Sequence, residues 1–350
     1  MRIKYSNLIV NKEDPILNVL KKMDAYNRKL LIVLDGNLFV SLISIGDIQR
    51  AIIKNIDLNT SIIQILRKDV SFAFENDDLN IVKERMKTRR NEFMPIVSAS
   101  YQLVDVIFWE DLFKEKYFNE SNVNLNIPVV IMAGGVGSRL KPLTNVLPKA
   151  LIPIGEKTIL EEIISRFEKY GCNEFHISVN YKAEMIEYYM NILKLSSSIS
   201  YFKEQKPLGT AGSLSLLKDT ILSTFFVTNC DILINQDYSE ILDYHRANKN
   251  DITIVAALKH YPIAYGIIET GEDGKLINLV EKPELTFKIN SGMYILEPHL
   301  LNEIPTNMFF HITDLIEKLK NKNGKIGVFP INNSSWTDIG TWDDYLKLKQ

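Results

Sequence analysis

Two cations, Arg139 and Lys149, follow a short apolar run from Val129 to Ala133 that breaks into Gly134, Gly135 and Gly137 before apolar periodicity resumes. A buried strand running into glycines is the pattern of a phosphate cradle. Glycine lets the backbone turn with positive φ and lets a ligand come close, so successive N–H groups, with Ser138 among them, can converge on phosphate oxygens. Pro142, Pro148 and Pro153 stiffen the stretch that must bring both cations to one polyphosphate. The plainer reading is a glycine-rich turn with two solvated cations. The stretch is not a Walker loop, because no Gly-Lys-Ser/Thr follows the spacer, and Leu140 occupies the place of the third glycine of a dinucleotide fingerprint.

Two further stretches carry chemistry-bearing residues. Glu204 to Ser213 holds a proline and two glycines ahead of a helix, and Gly209 would let a base plane lie against bare backbone. Phe226 to Asp231 reads as a buried strand ending in a carboxylate, and a second carboxylate, Asp338, stands in Trp336-Thr-Asp-Ile-Gly340-Thr-Trp. Each has a bland alternative: Glu204 solvated in a helix-entry loop, each Asp capping a turn.

Taken together, Gly134 to Pro153 resembles the sugar-1-phosphate nucleotidyltransferases, whose Gly-Gly-x-Gly-x-Arg-Leu, Pro-Leu-Thr and Pro-Lys-x-Leu-x-Pro segments it matches almost throughout. That resemblance implies a nucleobase beside Glu204 and Gly209, and Mg²⁺ held by Asp231 and Asp338, a hard-oxygen set of the kind this ion prefers. It also implies a sugar phosphate at Tyr265-Gly266, Glu281-Lys282-Pro283 and Asn290-Ser-Gly292. Glu281 and Asn290 would take hydroxyls, Gly266 would offer its amide, and Lys282 would meet the phosphate.

These residues need a scaffold that brings strand ends together. Alternating strand and helix patterns from residue 128 to 350 predict an α/β fold with a Rossmann-like (GT-A-like) sheet covered on both faces, whose ligands lie beyond the carboxyl ends of its strands. Helical periodicity is expected from Ile159 to Tyr170 and from Met185 to Leu195, with strands at Phe175–Val179, Ile199–Phe202 and Phe225–Val227. Residues 121–127 are polar and turn-prone and form the expected linker. Before it, 1–120 contains an internal repeat, about 1–56 and 57–120. Phe39 to Ile48 aligns with Leu103 to Leu112 at an offset of 64, and Leu17 to Lys21 with Leu79 to Lys83 at an offset of 62. The repeat resembles an α+β tandem CBS module, which implies an adenine-nucleotide effector at Ser44 and Asp47. Phe108 takes the hydroxyl position of the second repeat, where only Asp111 is kept. The alternative for Ser44 and Asp47 is a helix cap. Such modules stack in that family, so a homo-oligomer is expected.

Composition excludes other classes. With 350 residues, 46% hydrophobic and 24% charged, the chain holds two ordinary globular domains. A net charge of −2 gives no field that would favour nucleic acid or an anionic membrane. Cys172 and Cys230 have no metal spacing and fit a reducing compartment, the cytoplasm. No apolar run reaches the roughly 18 residues of a membrane helix, and the N-terminus lacks a signal-peptide pattern.

The reaction implied by the resemblance is attack of a sugar 1-phosphate oxygen on the α-phosphorus of an NTP, with pyrophosphate leaving. Two-part chains of this kind resemble the guanylyltransferases that activate glucosamine 1-phosphate on bacterial routes to legionaminic acid, which implies GTP. Mannose-1-phosphate guanylyltransferase and glucose-1-phosphate thymidylyl- or uridylyltransferase are the alternatives. A glycosyltransferase would want Asp-x-Asp where Asn229-Cys-Asp231 stands. A nucleotide-sensing regulator without catalysis would not need Lys149, Asp231 and Asp338 together. A bifunctional acyltransferase would show hexapeptide repeats, and none is present up to Gln350.

Overall fold

The computed structural model describes residues 5–89, 92–108 and 124–347. Two compact units divide between Asn119 and Glu120. Asp111 and residues 121–123 of the expected linker lie outside the described residues.

The first unit repeats one topology. Strand β1 (Ile9–Asn11), helix α1 (Ile16–Ala25), β2 (Leu30–Asp35), β3 (Leu38–Ser44) and helix α2 (Ile45–Ile53) form the first half. In it β1 runs parallel to β2, and β2 antiparallel to β3. The second half repeats the order with β4 (Ala73–Phe74), α3 (Leu79–Arg89), β5 (Phe93–Val97) and β6 (Leu103–Phe108), again parallel then antiparallel. Helix α1 forms because Ile16, Val19, Leu20 and Met23 fall on one face at three- and four-residue spacing, and all four are buried. The halves meet edge to edge at their hairpins, where Phe39 N–H donates to Tyr101 O at 2.8 Å and Leu103 N–H to Asn37 O at 3.2 Å.

The second unit is built on a seven-stranded sheet. Its strands in chain order are β7 (Val129–Met132), β8 (Glu174–Val179), β9 (Ser198–Lys203), β10 (Phe225–Asn229), β12 (Ile252–Pro262), β15 (Glu284–Leu296) and β16 (Ile326–Ile331), and the spatial order is β9-β8-β7-β10-β15-β12-β16. Helix α4 (Ile159–Glu168) links β7 to β8, and α5 (Ala183–Leu193) links β8 to β9. Period-two alternation sends Val129, Ile131 and Phe226 into one core and Val130, Phe225 and Val227 into the other, which is why these strands read as continuous apolar runs. Helix α4 starts at a capping box in which Thr158 and Glu161 exchange hydrogen bonds, and it buries Ile159, Leu160, Ile163, Ile164 and Phe167 against the first core.

From β7 the chain crosses to β8 on one side, whereas β10 lies on the other, and all three run parallel. That reversal opens a crevice beyond the carboxyl ends of β7 and β10. Three smaller pairings accompany the sheet, one of them between Pro153–Ile154 and Lys157–Thr158. Strands β11 (Ile232–Ile234) and β17 (Trp336–Asp338) pair antiparallel, and β13 (Ile267–Thr270) and β14 (Leu276–Val280) form a separate ribbon. No helix among the described residues is long and apolar enough to cross a membrane.

Candidate active site

The glycine loop is shaped by its neighbours. Gly137 has φ 66°, and a Cβ there would lie 2.9 Å from Thr144 Cγ2 and 3.1 Å from Lys149 Cβ. Conformation and space both demand glycine at this position. Thr144 Oγ1 donates to Gly137 O at 3.0 Å, and Tyr181 Oη donates to Thr144 O at 3.1 Å, so the Pro-Leu-Thr segment pins the loop to the body of the unit. Gly135 has open space on its Cβ side. Leu140, in the place of a third glycine, is fully buried and anchors the turn that carries Arg139.

Lys149 follows Pro148 in a single tight turn and is only 7% exposed. Its Nζ lies 2.6 Å from Asp231 Oδ2. A buried ammonium needs such a partner, and Asp231, just past the end of β10, supplies it. Asp338 reaches the same place from a distant part of the chain: Ile232 stands opposite Asp338 in the β11–β17 pair, and Ile339 N–H donates to Asp231 O at 2.7 Å. Burial and the neighbouring Asp231 charge raise the Asp338 pKa above the ordinary carboxylate value, against the opposing pull of Lys149. Gly340 separates Asp338 from Arg139; a Cβ there would lie 2.8 Å from Asp338 Oδ1 and 3.3 Å from Arg139 Nη2. Between the carboxylates and the loop, Cys230 is buried and its thiol is pushed up to about 12 by burial and by Asp231, so it stays protonated.

These groups border one cavity of about 370 Å³. Gly134, Gly135, Gly137, Ser138, Arg139, Lys149, Glu204, Gly209 and Asp231 all line it, and Gly340 places the Asp338 strand at its edge. Glu204, expected beside the nucleobase, lines the cavity with both its oxygens already engaged within the protein. Oε1 accepts from Ser178 Oγ at 2.7 Å and Oε2 from Leu208 N–H at 3.1 Å, so the carboxylate ties the Pro207–Gly209 loop to β8. Gly209 is likewise glycine for an internal reason. Its φ is 80°, and a Cβ would sit 2.7 Å from Phe310 O.

The sugar-phosphate candidates fall elsewhere. None of Gly266, Glu281, Lys282 and Asn290 is among the residues lining the cavity, and all four are exposed. Gly266 and Glu281 do meet, since a Cβ on Gly266 would lie 2.9 Å from Glu281 Oε2 at the root of the β13–β14 ribbon. Lys282 follows with φ 45°. Asn290 is tied to the cavity indirectly. It accepts from Gly292 N–H at 3.2 Å, and Gly292, with φ 86°, leaves room for the amide of Asn229, which lines the cavity.

The residue-by-residue reading missed Met132, Pro207, Thr210, Asn229 and Phe309, all of which line the cavity. Met132 and Asn229 were recoverable as the last residues of two strands flanking the reversal. Phe309 carries no local signal. It reaches the cavity because Phe310 N–H donates to Leu208 O at 2.8 Å, and Ala211 and Gly212 N–H donate back to Phe310 O.

In the first unit, Ser44 and Asp47 cap α2. Asp47 Oδ2 accepts from Ser44 N–H at 2.8 Å and from Ser44 Oγ at 2.7 Å, while Arg50 and Arg67 pair with Oδ1. The helix-cap alternative describes these contacts.

A model of the nucleotidyl transferase family matches residues 128–350, the whole of the sheet domain. The chain belongs to that family. Among similar curated proteins, the catalytic subunit beta of mannose-1-phosphate guanylyltransferase from Drosophila pseudoobscura pseudoobscura is 35% identical over 182 residues, covering 50% of this chain and 49% of that protein. Mannose-1-phosphate guanylyltransferase from Mycobacterium tuberculosis is 28% identical over 226 residues, 63% of each chain. The chain thus spans about half to two-thirds of the length of these relatives. Among solved structures, HddC from Yersinia pseudotuberculosis matches with a TM-score of 0.50 and 28% identity, over 63% of this chain and 97% of that one. A second structure of HddC is complexed with GMP-PN.

Proposed function

We propose that the second unit transfers a nucleotidyl group from an NTP to a sugar 1-phosphate, releasing pyrophosphate. The observation that carries this reading is the buried Lys149–Asp231 pair, set beside Arg139 and the glycine-loop amides around one cavity at the sheet's reversal point. The acceptor phosphate oxygen attacks the α-phosphorus as the bond to the leaving pyrophosphate breaks. Since that oxygen is already anionic, no general base is needed. Catalysis then consists of positioning and charge neutralisation. Loop amides and Arg139 take the departing pyrophosphate, and Lys149, held beside Asp231, balances charge around the α-phosphate. Lys282 neutralises the acceptor phosphate.

Asp231 and Asp338 fit Mg²⁺. They are hard-oxygen donors brought together where Asp338 ends β17 and Asp231 immediately precedes β11, the strand paired with it. The two carboxylates would hold the ion from one side, and its remaining ligands would come from nucleotide phosphates and water. Bound there, Mg²⁺ supplies charge neutralisation and a template for the phosphates.

The nucleotide is proposed to be GTP, a choice supported by the guanylyltransferase names of the relatives and by the GMP-PN complex of HddC. Glucosamine 1-phosphate is the acceptor favoured by the two-part architecture, and mannose 1-phosphate is the second reading, favoured by the relatives' names. Pyrophosphate release from four NTPs against glucosamine, mannose and glucose 1-phosphates tests both. Release with no pairing overturns the transferase reading, and preference for UTP or dTTP overturns GTP.

The first unit is proposed to be a tandem CBS-type module that self-associates and takes an adenine nucleotide at Ser44 and Asp47. Such a ligand must displace Arg67, whose Nη2 donates to Ser44 Oγ at 3.0 Å and whose Nε lies 2.9 Å from Asp47 Oδ1. Heat of binding of AMP, ADP or ATP to the full chain, lost in Asp47→Ala, is the expected result. No heat with the wild-type chain leaves only the helix cap.

A further inference from the structure

Phe309 is 61% exposed, and among the described residues it is the one exposed large apolar side chain that lines the cavity. Its place there is built into the fold. The next residue, Phe310, donates its N–H to Leu208 O at 2.8 Å, and its carbonyl accepts from Ala211 N–H at 3.1 Å and from Gly212 N–H at 2.9 Å. Two glycines make this close approach possible: a Cβ on Gly209 would lie 2.7 Å from Phe310 O, and one on Gly212 would lie 2.6 Å from Met308 O. Thr210 Oγ1 accepts from Ile312 N–H at 3.0 Å and ties down the far end of the segment. The Phe309 ring meets the His311 ring nearly at right angles, with centroids 4.7 Å apart. That contact restricts its rotation and still leaves most of the side chain uncovered. A phenyl ring fixed to the cavity wall by backbone bonds on both strands of the exchange offers a planar apolar surface to whatever fills the cavity.

We propose that Phe309 stacks on the base of the bound nucleotide and biases the site toward purines. This rests on the transferase reading, which puts an NTP in the cavity. Arg139, Lys149 and Asp231 deal with the phosphates and their counter-charge, whereas the wall of Pro207, Gly209, Thr210 and Phe309 carries no charge and suits the uncharged end of the same molecule. Both Glu204 oxygens already accept hydrogen bonds from Ser178 and Leu208, so contact with the faces of the base gains weight over contact with its edge. The ring is placed by backbone bonds among Leu208, Phe310, Ala211 and Gly212, not by the Glu204 carboxylate. Stacking on an aromatic side chain uses the π-face that every base has, and its strength follows the area the rings share. A purine covers more of a phenyl ring than a pyrimidine does. Phe309 therefore favours GTP and ATP over UTP and dTTP, and it leaves the choice between guanine and adenine to other groups.

The test uses the full chain with Mg²⁺ and no sugar phosphate, so that binding is read without turnover. In Phe309→Trp, stacking sets an indole against the base, and GTP is expected to quench the added emission strongly, beyond any change in the wild type, whose own three tryptophans give the baseline. Calorimetry of Phe309→Leu, which keeps an apolar side chain and loses the ring, should show GTP and ATP bound about tenfold more weakly and UTP only about twofold, with Phe309→Tyr restoring the wild-type affinities. The side chain is exposed, so all three variants keep the wild-type melting temperature. Wild-type GTP affinity in Phe309→Leu, equal losses for GTP and UTP, or Phe309→Trp emission that GTP leaves unchanged overturns the proposal. Each of these is a failure of the stacking alone, because the wild-type chain binds GTP in all of them. A wild-type chain that binds no NTP is the failure of the transferase reading, and the stacking falls with it.

Discussion

Gly134, Gly137, Lys149 and Glu204 sit where their neighbours leave each one conformation, whereas Gly266, Glu281 and Lys282 stand at the root of an exposed ribbon. The first group is held by hydrogen bonds and close packing that exist without any ligand. The second lacks such support among the described residues, apart from the approach of Gly266 to Glu281. Preorganised groups favour the transition state without being reordered during the reaction, while loosely held groups must be ordered on binding. One site can thus combine a rigid half that grips a polyphosphate with a half that is completed later.

Substitutions can break this contrast. Lys149→Ala and Asp231→Asn are expected to cost the most, about 10²–10³-fold or more in kcat, with the fold retained by circular dichroism. A variant that keeps most of its kcat refutes the assignment. Gly137→Ala should come next. A side chain forced into positive φ and against Lys149 should destabilise the fold by about 1–3 kcal/mol in denaturant titration and lower kcat/KM.

Lys282→Ala, on the exposed side, should raise KM for the sugar phosphate about tenfold and leave the nucleotide KM near its wild-type value. Glu204→Gln sharpens the comparison within the rigid half. As a residue holding the Pro207–Gly209 loop, it should weaken GTP and UTP by the same few-fold factor. A changed ratio between the two nucleotides would restore direct base readout.

The smallest effect is expected at Asp338. Its pKa is raised in the folded state, so the unfolded chain ionises first and stability falls as pH rises through the folded value. Asp338→Asn removes that penalty. It should raise the melting temperature at neutral pH and have little effect below the usual carboxylate range, the opposite of its expected effect on turnover.

The sheet was legible in the sequence because β7 and β10 are apolar on both faces and β8 alternates Phe175, Ile177 and Val179 with polar residues, and so was the glycine loop, because its motif is continuous. What escaped was set by contacts between distant segments. Glu204 looks like any solvated carboxylate until Ser178 and Leu208 are seen to occupy it. Phe309 enters the cavity only through the backbone exchange of Phe310 with Leu208, Ala211 and Gly212. In the first unit, self-similarity at offsets of 62 and 64 is visible in the sequence, but the partnership of Arg67 with Asp47 is not, since nothing local marks an arginine twenty residues downstream.

Joining β17 to β11 also has a temporal side. As the chain leaves the ribosome, Lys149 and Asp231 emerge long before Asp338, which comes only after β12 to β16. A nascent chain that has folded the early strands carries the cation and one carboxylate as a neutral couple. The second negative charge arrives when β17 pairs beside Asp231. Because synthesis runs from the N-terminal side, the charge balance of these three side chains goes from neutral to negative at one of the last docking events.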